Sequence, residues 1–142
     1  MGIKRTAADD AYSKCIRERA DWNCERCHRH YPPGHTRGLD AAHLFGRANH
    51  STRFEPENAF SLCRGCHQYF TANPSEFHWW AEDRLGEGVI ELLLERKRNT
   101  TLGRTAKREI KEIAKHYREE YERMRKLRQD GKGGRLEFKG YF

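Results

Sequence analysis

A chain of 142 residues with 36% hydrophobic and 35% charged side chains has room for one domain with a modest core. No apolar run approaches the ~20 residues that span a bilayer, and the opening MGIKRTAADDAYSK has no apolar stretch of the secretory kind, so a cytoplasmic protein is expected rather than a membrane or exported one. A formal charge of +7 and a pI near 9.3 favour polyanionic partners, because neutralised phosphates release condensed counterions.

Residues 6–21, TAADDAYSKCIRERAD, place a helix start at Thr6, acids in the first turn at Asp9 and Asp10, and Tyr12, Cys15, Ile16 and Ala20 at helical spacing. They predict a helix packed on the core, with Cys15 a buried small hydrophobe. From 22 to 66 the pattern breaks into turn-rich YPPGHTRG, the short apolar LDAAHLFG and RFEPENAFSL, which predict short strands and loops. Pro74 and Gly86 bracket a predicted helix in PSEFHWWAEDRLG, and GVIELLLERKR predicts another over 88–98.

The last predicted helix, 104–129, carries Ile110, Ile113, Ala114, Tyr117, Tyr121, Met124 and Leu127 on one stripe, to pack within the domain or against a partner such as a second copy. Its polar face holds ten Lys and Arg against five Glu, with Glu119 and Arg123, and Glu122 and Lys126, spaced as the i,i+4 pairs of a solvated helix. QDGKGG then predicts a flexible break before the tail RLEFKGYF.

Two units, NCERCH and LCRGCH, each hold a Cys-x-x-Cys, with 35 residues between Cys27 and Cys63. Such a turn puts two thiolates on one side of a tight loop, and two turns supply the tetrahedral set that Zn²⁺ prefers. In a reducing compartment Cys24, Cys27, Cys63 and Cys66 therefore predict a zinc site rather than disulfides. Four thiolates leave no open position, so this zinc is structural, and the chain around it is expected to depend on it for folding.

Between and beside the knuckles stand Asp40, His43, Asn58 and His67. His43, Asn58 and His67 within this four-cysteine frame resemble the HNH endonucleases of the ββα-metal superfamily, and LDAAHLFGRANHSTRFEPENAFSLCRGCHQYFTANPSEF is similar to small phage-type members, including the NinG group of recombination endonucleases. The resemblance covers roughly residues 20–86. It implies a zinc-stabilised ββα-metal, treble-clef-like core and a metal-dependent DNA endonuclease, in a bacterial cytoplasm if phage-encoded. By the same resemblance His43 is the general base on the first strand of a hairpin, Asn58 ties the hairpin and orients the base, and His67 binds one catalytic divalent metal, Mg²⁺, Mn²⁺ or another. Ala42 stands where many members carry a further ligand, and Asp40 is the candidate to replace it. On a regular strand Asp40 would oppose His43.

Arg47, Arg53 and Arg64 flank this constellation and are expected to contact DNA phosphates, Arg53 foremost. His28, His30, His35, His50 and His78 have no assigned role, and Phe77, Trp79 and Trp80 are expected to pack helices onto the metal core. The expectation is thus an α+β fold: residues 1–100 form a zinc-supported nuclease domain with flanking helices, and 101–142 form a basic helical extension with a short tail. The competing readings are a zinc-knuckle DNA-binding module without catalysis and an adaptor that uses the long helix.

Overall fold

The first helix, α1 (Ala7–Arg19), starts where Thr6 and Asp9 close a capping box, with the Thr6 nitrogen donating to Asp9 Oδ2 at 2.7 Å. Its buried face, Tyr12, Cys15 and Ile16, packs on Ile113, Ala114, Tyr117 and Met124 of α6 (Ile110–Gln129). The Cys15 thiol donates to the Tyr117 carbonyl at 3.3 Å, and burial pushes its pKa far up, so it stays a protonated filler as expected. Beneath these apolar contacts, buried Glu18 accepts from Trp22 Nε1 at 2.8 Å and pairs with Arg128 Nε at 3.4 Å.

The computed structural model describes residues 3–142 as an α+β fold, with six α-helices and one two-stranded antiparallel sheet among the described residues. Strands β1 (Leu39–His43) and β2 (Ala59–Cys63) pair in regular register from Leu39 opposite Cys63 to His43 opposite Ala59. The chain passes from β2 directly into α2 (Arg64–Ala72), then α3 (Pro74–Leu85), α4 (Glu87–Arg98) and α5 (Thr100–Arg108). Pro74 opens α3 and Gly86, at φ 92°, ends it. A second core forms here from Trp22, Leu39, Ala42, Phe60, Leu62, Phe70 and Phe77. Phe77 stacks on Phe70 with centroids 4.8 Å apart and Trp80 meets Phe60 at 4.9 Å, as expected, whereas Trp79 is exposed. No helix is long and apolar enough to cross a membrane.

The C-terminal third differs from expectation in three respects. The predicted helix 104–129 is broken at Glu109 (φ −100°, ψ 25°), because α5 follows the loop at His50 and Ser51 while α6 follows α1. A Cβ at Gly103 would stand 3.6 Å from the Ser51 nitrogen, which marks how closely α5 lies on that loop. The expected flexible break is a turn: Gly131, at φ 95°, donates to the Arg128 carbonyl at 3.0 Å, and the tail returns to bury Phe138 against α1 and α6. Arg123 pairs with Glu120 at 3.1 Å instead of with Glu119.

The expected boundary near residue 100 consequently separates helices but not cores, since Ala106, Ile113, Tyr117 and Phe138 share one cluster with Tyr12, Phe54 and Ala59. The apolar stripe of α6 is covered inside the domain, by α1 and the tail.

Candidate metal centre and cleft

The sulfur atoms of Cys24, Cys27, Cys63 and Cys66 all lie within 4.8 Å of one another, a cluster that could hold a structural metal ion such as zinc. Cys27 and Cys63 are 3.8 Å apart, which is the edge of a tetrahedron with bonds of about 2.3 Å. Each knuckle is closed by a backbone N–H on sulfur, Cys27 to Cys24 at 3.5 Å and Cys66 to Cys63 at 3.4 Å. Glu25 fastens the first knuckle to β2, its nitrogen donating to the Ser61 carbonyl at 2.7 Å and its carboxylate accepting from the Ser61 nitrogen at 2.8 Å. Arg26 lies 4.4 Å over the Tyr69 ring and reaches Cys66 Sγ at 3.5 Å, placing a cation beside the sulfur cluster.

Because Cys63 is also the N-cap of α2, the cluster sets the start of that helix, and His67 leaves its first turn. His67 Nδ1 lies 2.9 Å from Asp40 Oδ2. Arg64 makes two bonds to the same carboxylate, Nε to Oδ2 at 3.0 Å and Nη2 to Oδ1 at 3.2 Å. Partial burial would raise the Asp40 pKa, but the Arg64 and His67 hydrogen bonds outweigh it and hold the carboxyl below the usual range. Asp40, His67 and Arg64 line a cleft of about 740 Å³ together with His43, Arg47, Arg5 and Arg17. Asp40 and His43, expected on opposite faces of β1, both line this cleft.

His43 ends β1, with its ring stacked on Tyr12 at 5.5 Å and its Nε2 3.0 Å from the Arg53 carbonyl oxygen. A carbonyl only accepts, so Nε2 carries the hydrogen and Nδ1 the lone pair. Burial pushes the His43 pKa down to about 4, against the opposing effects of the Arg53 carbonyl bond and the Asp9 charge. The ring is therefore neutral at pH 7 with one defined basic nitrogen.

Asn58, fully buried, accepts from the Phe45 nitrogen at 2.9 Å and donates to the Phe45 and Thr52 carbonyls, each at 2.9 Å. Four consecutive carbonyls, 52 to 55, thus each accept from a distant side chain: Asn58, His43, Tyr117 and Tyr12 in turn. These bonds immobilise the loop that fixes the His43 tautomer.

Arg53 is not a surface phosphate contact. It is 3% exposed, with Nε 2.9 Å from Asp9 Oδ1, Nη2 2.5 Å from Asp9 Oδ2, and a further bond to the Lys4 carbonyl at 3.1 Å. The pair anchors the loop behind His43 to α1 and keeps the Arg53 guanidinium inside the fold. Burial alone would raise the Asp9 pKa, but the Arg53 and Thr6 bonds prevail and lower it. Arg53→Ala is expected to cost about 3–5 kcal/mol by leaving Asp9 buried without its two-bonded partner, measured by chemical denaturation against the unsubstituted chain. A loss under 1 kcal/mol would show that the pair does not hold the loop. The depressed Asp9 pKa contributes stability above the ordinary value of 3.8, and that contribution disappears as pH falls through the folded-state value.

Arg47 and Arg64 do face the cleft, Arg64 mostly exposed and Arg47 bonded to the Ile3 carbonyl at 3.2 Å. His30 pairs with Asn23 at 3.1 Å, His35 stacks on Tyr31, His78 lies 3.6 Å from Glu82, and His28 takes φ 67° at the end of the first knuckle turn. Residues that sequence reasoning did not assign to the site include Tyr12, Asp9, Arg5 and Arg17, from α1 or its approach. In the sequence Tyr12 reads as a packing residue and Asp9 as a first-turn acid, and no local signal links any of the four to a histidine about 30 positions on. Comparison of the chain with protein-family models, with curated proteins and with solved structures finds no match.

Proposed function

We propose that the chain is a metal-dependent DNA endonuclease of the HNH type, built on a ββα-metal core in which zinc on the four cysteines is structural. The observation that carries this reading is the convergence, in one cleft lined by arginines, of a neutral histidine with a free Nδ1 and an aspartate–histidine pair 2.9 Å apart.

Asp40 and His67 would hold the divalent ion. Their 2.9 Å spacing suits two neighbouring ligands on an octahedral ion with bonds of about 2.1 Å. Two protein ligands agree with the habit of Mg²⁺ and Mn²⁺ of keeping waters and taking substrate phosphate oxygens for the rest. When bound, the ion supplies charge stabilisation to the phosphate and the leaving 3′-oxygen.

The chain's own residues do the remainder. His43 Nδ1 takes a proton from water as the water oxygen bonds to phosphorus; the bond from phosphorus to the 3′-oxygen breaks, leaving a 5′-phosphate and, after protonation from solvent, a 3′-hydroxyl. Asn58 keeps the carbonyl loop in place so that Nδ1 faces the cleft, and Arg47 and Arg64 supply phosphate contacts. The entering phosphate adds negative charge beside the ring and raises its proton affinity during reaction.

A second reading, DNA binding without cleavage, has one observation in its favour: Arg64 already satisfies the Asp40 carboxylate. Incubation of purified protein with supercoiled plasmid decides between them. Nicking or linearisation that requires Mg²⁺ or Mn²⁺ and stops with chelator is the expected result, while binding without any cut would leave the second reading. His67→Ala is expected to weaken Mn²⁺ binding by at least about tenfold in calorimetry while leaving zinc in place; unchanged Mn²⁺ affinity would remove His67 from the metal site.

A further inference from the structure

We propose that the corner between α4 and α5 is a second backbone-phosphate site, gripping the same DNA duplex beyond the loop that borders the cleft. It rests on the nuclease reading for the identity of the polyanion, but on different residues. His50 comes from the loop, Lys97 from the end of α4, and Arg104 and Lys107 from α5, around a pocket of about 300 Å³.

No carboxylate lines this pocket. Lys97, Arg104 and Lys107 are exposed, and among the described residues none of the three forms an ion pair. Lys97 lies 5.2 Å over the Phe45 ring and Arg104 donates to the Thr101 hydroxyl at 3.3 Å, contacts that bring no counter-charge. Three other basic side chains are differently placed: Arg64 is held by Asp40, Arg123 by Glu120, and Arg128 by Glu18. Cations gathered without a counter-charge repel one another, and that repulsion is relieved when phosphate arrives. The repulsion is already felt within the corner, where partial burial and the Lys107 charge together lower the His50 pKa.

The two sites are joined by one stretch of chain. Gly46 and Arg47 line the cleft, whereas Ala48, Asn49, His50 and Ser51 line the corner. From Arg47 to Ser51 the chain advances at most ~14 Å, about four base pairs of duplex. The corner is thus within reach of a duplex that lies across the cleft and runs toward this loop. Ser51 Oγ is turned to the Lys97 carbonyl at 3.2 Å and Asn99 Oδ1 caps α5, so the cations and His50 remain to meet a phosphate.

The test is fluorescence anisotropy on a labelled duplex of about two helical turns, with no divalent cation added, over a salt series. The triple variant Lys97→Ala, Arg104→Ala, Lys107→Ala is compared with the charge-matched control Lys111→Ala, Lys115→Ala, Arg118→Ala on α6. The corner variant is expected to bind at least about tenfold more weakly at low salt, with a log–log salt slope shallower by about 0.9 for each lost contact, while the control stays near the unsubstituted chain. Equal losses in the two triples would overturn the site and leave only a net-charge effect. No duplex binding by the unsubstituted chain would overturn both the corner and the nuclease reading. A corner-dependent slope in a protein that never cuts plasmid would uphold the corner and remove the nuclease reading alone.

Discussion

Cys63→Ser is expected to abolish the fold of the hairpin and of α2, not merely to weaken a site. Cys63 ends β2, caps α2 and donates one of four clustered sulfurs, so a serine there removes a ligand at the point where three elements join. Structural zinc on thiolates contributes on the order of 10 kcal/mol to small domains, comparable to the ~5–15 kcal/mol net stability of a whole domain. Elemental analysis should find one zinc per unsubstituted chain, and circular dichroism of the variant should show loss of helix and of a cooperative transition. Cys15→Ser, outside the cluster, should keep its zinc. A zinc-free chain that melts normally would remove the metal frame altogether.

The frame is legible in the sequence because a Cys-x-x-Cys pair is a local signal whose chemistry does not depend on what lies between the pairs. The start of α1 and both ends of α3 are legible for the same reason, through Thr6 with Asp9 and through Pro74 and Gly86. The burial of Arg53 is not, because its neighbours in sequence say nothing of Asp9, which comes from α1 to cover it. The break at Glu109 is hidden as well: periodicity runs through it, and only the diverging surfaces that α5 and α6 must follow require it. Of the cleft, the sequence carries the chemistry of His43 and His67 but not the Tyr12 stack or the carbonyl loop that hold His43 in one tautomer.

His43→Ala should lower cleavage by ~10²–10⁴-fold, the range for a lost general base, with DNA affinity and Mn²⁺ affinity retained. His67→Ala should lose both cleavage and Mn²⁺ affinity, so metal titrations separate the two roles. The pH dependence follows from burial of the ring. With a pKa pushed down to about 4, His43 is already unprotonated at pH 6, so the acid limb of kcat/KM should lie well below the ordinary histidine value of 6.5. The same depression makes the folded state resist protonation that the unfolded chain accepts, so stability falls as pH drops from 6.5 toward 4. Wild-type cleavage in His43→Ala would sink the mechanism, and an acid limb centred at 6.5 would show that the ring is solvated during the reaction.

One hydrogen-bonded relay joins the tail to the loop behind His43: the Tyr141 nitrogen donates to Tyr117 Oη at 3.2 Å, and Tyr117 donates onward to the Phe54 carbonyl. Tyr117 stands 63 residues after Phe54. At ~5–20 residues per second on the ribosome, that separation is about 3–13 s of synthesis. The hairpin with His43 and all four cysteines is therefore made seconds before the helix that locks its loop. A nascent chain can gather the four cysteines early, whereas the loop behind His43 is locked only after Tyr117 has been translated, when most of the described domain has been synthesised.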